Sequence, residues 1–210
     1  MATPKAQRIG IWIIAIALTI GTLGSFLVIV LSNENQKIDQ AQQQKLQSDY
    51  NKEIADYQAK VDAQAKELSP KYYDEFSKYD SVPAKFDASS VKELTTKDLK
   101  VGDGETVKDG TSYSAYYIGW NPDGVIFDQS IDGDSLKAPL SSGKYIEGWN
   151  KGVIGMKIGG VREVTIPSDM AYGAAGSGDK IGPNTPIKFI IMLIPPVETI
   201  PTPDLSKYYQ

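Results

Sequence analysis

A chain of 210 residues with 41% hydrophobic side chains and a net charge of −4 has room for one globular domain with additions. The mild charge, with no basic stripe interleaved with aromatics, speaks against a nucleic-acid surface. Cysteine and histidine are both absent, which excludes disulfides, thiolate nucleophiles, Ser-His-Asp or Cys-His catalysis and zinc sites built from those ligands. Chemistry must rest on carboxylates, lysines and tyrosines, or on shape and solvation alone.

Taken in chain order, the first feature is Ile9 to Leu31, IGIWIIAIALTIGTLGSFLVIVL, 23 residues without a charge. A membrane-spanning helix needs roughly 20 apolar residues, whereas the apolar part of a cleaved signal is about 7–15 and ends at an Ala-x-Ala-like site. The stretch is too long for a signal and runs into Ser32-Asn33-Glu34-Asn35, so it is expected to be an uncleaved transmembrane helix at 9–31. Lys5 and Arg8 precede it, which by the positive-inside rule puts residues 1–8 in the cytoplasm and the remainder outside. The expectation is a single-pass membrane protein. Ala17, Gly21 and Ser25 form a small-xxx-small stripe of the kind that packs against a second helix, though such residues are also common in membrane helices generally.

Residues 32–90 read as a helical stalk or linker. Asn33 to Leu68 lacks Gly and Pro and is rich in helix formers. Tyr50, Ile54, Tyr57, Val61 and Leu68 keep a three-four spacing, with Gln64 at the missing step. That is one apolar stripe, too short for a firm coiled-coil assignment, and it leaves self-association through the stalk open. Ser69-Pro70 has the form of an N-cap and first position of a second helix carrying Tyr72, Tyr73 and Phe76, ending near Ser81-Val82-Pro83.

From about 91 to 197 the composition changes. Turn signals recur at Gly102-Asp103-Gly104, Lys108-Asp109-Gly110, Pro122-Asp123-Gly124 and Asp132-Gly133-Asp134. Between them lie strand-like runs at 113–118, 161–166 and 187–194, the last continuously apolar as a central strand would be. Glu147 to about Gly152 is the one short helix expected here. The fold class is therefore α+β, an antiparallel sheet against a short helix. A proline-rich, extended tail occupies 198–210.

No phosphate-binding or metal motif is complete. Gly102-Asp103-Gly104 does not meet the dinucleotide fingerprint, Gly173 to Gly178 lacks the Lys-Ser/Thr of a P-loop, and Asp132-Gly133-Asp134 lacks the further ligands of a calcium loop. No cofactor and no metal are expected. What remains is a set of aromatic and aliphatic residues around the short helix, with one carboxylate, Asp128, directly after Phe127. A carboxylate in such a setting needs partners, and the Tyr117 hydroxyl is a candidate.

Tyr117-Ile118-Gly119, Asp123 to Ser130 (DGVIFDQS), Tyr145 to Val153 (YIEGWNKGV), Gly155-Met156 and Ala171-Tyr172-Gly173 together resemble, in order and spacing, the blocks of an FKBP-type peptidyl-prolyl cis-trans isomerase. The resemblance runs from about Lys92 to Val197. It implies an antiparallel sheet wrapped over a short helix, with an apolar pocket between them, acting on proline-containing polypeptides. By the same resemblance Trp149 is the pocket floor, and Tyr117, Phe127 and Phe189 are its aromatic walls. Asp128 is the buried carboxylate, Ile146 and Tyr172 offer an amide and a hydroxyl to ligand carbonyls, and Leu136, Tyr145 and Ile181 complete the rim. The chain departs from the pattern at Ile181-Gly182-Pro183, where Ile-Pro-Pro is usual. Leu136 replaces a frequent phenylalanine and Tyr145 a frequent valine. The loop from Ile131 to Lys137 is one residue short of a common form and offers no arginine to Asp128. Ser177 stands where some members carry histidine. With the anchor, the resemblance implies an outward-facing folding catalyst, and its alternative is a non-catalytic peptide-binding chaperone or assembly adaptor.

Overall fold

The structure is a computed structural model and describes residues 40–208. The apolar stretch Ile9–Leu31 lies outside the described residues. No helix among those described is long and apolar enough to cross a membrane.

Helix α1 (Gln40–Phe76) is followed by eight strands, β1 (Thr95–Lys100), β2 (Ser114–Trp120), β3 (Ile126–Gln129), β4 (Ile131–Asp132), β5 (Ser135–Leu136), β6 (Leu140–Ser141), β7 (Val161–Ile166) and β8 (Ile187–Ile194). Helix α2 (Glu147–Gly152) interrupts the strands after β6. The main sheet has the order β1-β7-β8-β2-β3, with β6 also on β2, and every pairing is antiparallel. The small hairpin β4-β5 stands apart and turns at Gly133, whose φ of 55° suits a residue without a Cβ.

The two faces of this sheet are both covered. Along β8, Ile187, Phe189, Ile191 and Leu193 enter one core cluster with Trp149 of α2, while Ile190, Met192 and Ile194 enter another with Phe76 of α1. Along β2, Ala115 and Tyr117 face α2, whereas Tyr116, Ile118 and Trp120 face α1. Burial on both faces is why β8 reads as a continuous apolar run in place of an alternation.

The helix expected to start at Ser69-Pro70 does not exist as a separate element. Helix α1 runs straight through Pro70 to Phe76. A proline inside a helix loses one backbone hydrogen bond and crowds the preceding turn. Here tertiary packing overrides that cost. Leu68 and Ser69 are buried, Phe76 is 0% exposed, and the Ser69 hydroxyl accepts a 2.8 Å hydrogen bond from the Leu136 amide of β5. The chain after Phe76 makes one 3-10 turn, Ser77–Tyr79, and Val82 and Phe86 still pack on the outer face of the sheet. The helical stalk is thus present, but its C-terminal turns belong to the packed body well before residue 91.

The tail beyond Pro195 has no regular structure until a turn at Ser206–Tyr208. It returns along α1. Gln64 Nε2 donates to the Glu198 carbonyl at 2.7 Å, and Tyr208 meets Tyr50 edge-on with ring centroids 5.5 Å apart. Ile54 and Leu205 pack beside that pair. Part of the apolar stripe of α1 therefore rests on the chain's own C-terminal segment.

Candidate functional site

The site is built on the face of the sheet against which α2 packs. Helix α2 comes close because Gly148 faces β7, where a Cβ would sit 2.2 Å from Ile166 Cγ2. The close approach puts Trp149 into the centre of the sheet. The far end of α2 is held by Arg162 of β7, which is buried. Its Nη1 donates to the carbonyls of Gly152 and Ile154 at 2.9 and 3.0 Å, and its Nε and Nη2 donate to the Asp98 carboxylate at 2.6 and 3.2 Å. The Trp149 indole N–H donates to the Tyr113 hydroxyl at 3.3 Å, so the ring is fixed in both position and rotation.

Around Trp149 the aromatic rings interlock. Tyr117 meets it edge-on at 5.7 Å, Phe189 at 5.3 Å, and Tyr145 packs against it tilted at 5.4 Å. Phe127 meets Phe189 edge-on at 5.5 Å. Edge-to-face pairs in this range are favourable beyond simple area burial. They form because β2 carries Gly119 between them, where a Cβ would lie 2.5 Å from Phe189 and 2.6 Å from Phe127.

Asp128 is the carboxylate of the site. The Tyr117 hydroxyl donates to its Oδ2 in a short hydrogen bond, and the Gln129 amide donates to Oδ1 at 2.8 Å. Burial first, and then the Asp128 charge, hold the Tyr117 phenol well above its ordinary range. The same two causes, in the same order, push the Tyr172 phenol up to about 12. Both hydroxyls are therefore protonated donors at neutral pH. Tyr172 makes no hydrogen bond among the described residues, and neither does the amide of Ile146. Two donors at the edge of an apolar cluster are free to receive acceptors from outside.

The loop between Tyr172 and Ile181 is tied down from the opposite side. Asn121 Nδ2 donates to the Lys180 carbonyl at 2.8 Å, and Lys180 Nζ donates to the Ile126 carbonyl at 2.9 Å. Of the ten residues expected from the sequence, Tyr117, Ile146, Trp149, Tyr172, Ile181 and Phe189 fall in one buried cluster, with Phe127 and Tyr145 packed on it and Asp128 joined through Tyr117. Leu136 is the exception. It sits in the other cluster, with Phe76 and Trp120, because the β4-β5 hairpin is drawn onto α1 by Ser69. It still lines the groove that Tyr117, Asp128 and Tyr145 also line. Tyr113, Asn121 and Arg162 were not expected. Arg162 lies in β7, Tyr113 just before β2 and Asn121 just after it, and none carries a local signal of its role. Among the described residues no group of three or more carboxylates lies together as a metal site would require.

A family model described as FKBP-type peptidyl-prolyl cis-trans isomerase matches residues 103–194. An FK506-binding protein of Neisseria meningitidis serogroup A is 40% identical over 102 residues, covering 48% of this chain and 94% of that protein. The chain belongs to the FKBP-type isomerase family. A 39 kDa FK506-binding nuclear protein of Drosophila melanogaster is 45% identical over 97 residues, and this chain spans only 27% of its length. A peptidyl-prolyl isomerase of Pseudomonas syringae pv. tomato aligns in structure with TM-score 0.43 and 30% identity, over 64% of this chain and 93% of that one, which adds nothing to the assignment. Helix α1 lies before the region matched to the family model.

Proposed function

We propose that this chain catalyses rotation about X-Pro peptide bonds in polypeptide substrates. The observation that carries the reading is the pairing of a closed aromatic cluster with two unengaged donors, the Ile146 amide and the Tyr172 hydroxyl. Amide resonance sets a rotational barrier of about 18–20 kcal/mol, while the cis and trans forms before proline differ by only about 0.5–1 kcal/mol. Catalysis must therefore lower a barrier and leave the equilibrium alone. The planar amide carries more charge separation than the twisted one. Walls of Trp149, Phe189, Phe127 and Tyr117 solvate that separation less well than water does, so the ground state loses more than the transition state. The free donors hold the flanking carbonyls while the imide turns. No nucleophile or strong base enters the scheme, in keeping with a chain that has neither histidine nor cysteine.

One detail bears on access. Trp149 is 1% exposed, under Tyr117, Phe189 and the partly exposed Tyr145. Tyr145 packs against the indole, and its hydroxyl donates a hydrogen bond to the Ser141 carbonyl. The second reading, a peptide-binding chaperone or adaptor without catalysis, draws on this closed floor. Tyr145→Val separates the two. Under catalysis it lowers KM for an X-Pro peptide and keeps kcat, whereas under binding alone the peptide isomerises at its uncatalysed rate with either protein.

The finer reading adds location. The uncharged Ile9–Leu31 segment, with Lys5 and Arg8 before it, supports a membrane anchor with the isomerase domain on the extracytoplasmic side, serving proteins that fold there. Flotation of the full chain with vesicles, lost on deletion of residues 9–31, tests the anchor. Recovery of the full chain in the soluble fraction overturns it.

A further inference from the structure

Helix α1 does more than brace the sheet. Its face Tyr57, Val61, Ala65 and Ser69, one residue per turn, stands opposite Tyr117, Asp128 and Tyr145 across a groove of about 940 Å³. Ligand sites usually run to roughly 300–1,000 Å³, so this one far exceeds what a proline ring occupies. Tyr57, Val61 and Ala65 are only partly covered. The chain's own tail does not fill the groove, since it docks on α1 through Gln64 and Tyr50. The charges in and around the groove are mixed, with Lys66, Lys137 and Lys144 against Asp62, Asp128 and Asp132, so it selects for neither sign.

We infer that this groove is an extended subsite that holds the apolar residues flanking the substrate proline, in extended conformation, with α1 as its outer wall. The occupant follows from continuity. Tyr117, Asp128 and Tyr145 line the groove and also belong to the proline pocket, so a polypeptide with its proline over Trp149 has one end directed along α1. A polypeptide that adds contacts there binds more tightly than a short peptide with the same X-Pro bond. The inference rests on the proposed X-Pro reading of the pocket, and it gives this chain a preference for long, unfolded apolar segments.

The test uses the full chain in detergent, as wild type, Val61→Glu and Ala65→Trp, each checked for folding by circular dichroism. Two substrates share one X-Pro centre, a tetrapeptide and an apolar peptide of about 12 residues. The expected result is a kcat/KM about tenfold higher for the long peptide with wild type, carried by KM. Both variants bring the long peptide down to the tetrapeptide value and leave the tetrapeptide within about twofold of wild type. Ala65→Trp fills the groove without adding charge, so it decides the matter if Val61→Glu fails to fold. Equal kcat/KM for the two peptides in wild type, or a long-peptide advantage that survives both variants, overturns the inference. If wild type isomerises neither peptide, the X-Pro reading has failed and the groove is judged by fluorescence anisotropy of the long peptide with its proline replaced by alanine. Binding weakened about tenfold by either folded variant upholds the groove, and unchanged binding overturns it.

Discussion

Phe76, the last residue of helix α1, lies against Tyr116 of strand β2 with ring centroids 6.1 Å apart, and neither residue is exposed to solvent. The outer face of the isomerase sheet is thus closed by a helix that precedes the region matched to the family. Phe76→Ala should cost about 3–5 kcal/mol of stability, measured by urea unfolding followed through tryptophan fluorescence. A fragment starting at residue 91 exposes Tyr116, Ile118, Trp120 and Met192 and should aggregate, where one starting at residue 40 stays soluble. Equal solubility of the two fragments would show that α1 is a spacer.

The Tyr117–Asp128 hydrogen bond fixes one wall of the pocket and the charge beneath it. Tyr117→Phe removes the donor while keeping the ring. Its kcat/KM for an X-Pro peptide should fall about tenfold, the size expected for one charge-assisted hydrogen bond. Asp128→Asn should fall in parallel, and the double variant should lose no more than either alone.

Arg162 anchors the helix that carries Trp149. Arg162→Met leaves the carbonyls of Gly152 and Ile154 without their donor and should destabilise the fold by roughly 2–3 kcal/mol. Asp98 is half exposed, so its loss of partner is eased by water and Asp98→Asn should cost about 1 kcal/mol or less. A two-state urea titration of the variants measures both.

The pH dependence follows from the tyrosines. Burial, with the Asp128 charge second, holds the Tyr117 phenol well above its ordinary value and Tyr172 up to about 12, and burial raises Tyr113 and Tyr145 in the same direction. A folded-state pKa above the unfolded value of about 10 means that the folded state keeps its proton longer. The stability this contributes is fully present below pH about 10 and is lost as pH rises toward about 12. Urea midpoints between pH 6 and 9 should therefore show no pH dependence from these groups and decline above 10, less steeply in Tyr172→Phe.

Much of the site could be read from the sequence because its residues sit in short, ordered blocks. Helix α2 at Glu147–Gly152 and the strands at 161–166 and 187–194 were legible from β-branched runs and turn residues, and Asp128 beside Phe127 called for a partner that Tyr117 provides. What was hidden depended on distant contacts. Pro70 signals a helix start by local rules, and only the burial of Leu68, Ser69 and Phe76 carries α1 through it. Leu136 lines the groove beside Tyr117 and Tyr145, but the sequence did not show that it also packs with Phe76 and Trp120, where its amide is held by Ser69. Tyr113 gave no sign that it holds the Trp149 indole, because a tyrosine at the edge of a strand that accepts a hydrogen bond looks like any other.

On the proposed function, the Trp149 cluster accepts a proline and lets its imide bond turn faster than in water. NMR exchange spectroscopy on an X-Pro tetrapeptide, with catalytic amounts of the full chain, measures this directly. Cis-trans exchange is expected to be much faster than the uncatalysed tens to hundreds of seconds, an acceleration abolished in Phe189→Ala. Exchange at the uncatalysed rate with correctly folded wild-type protein would contradict it.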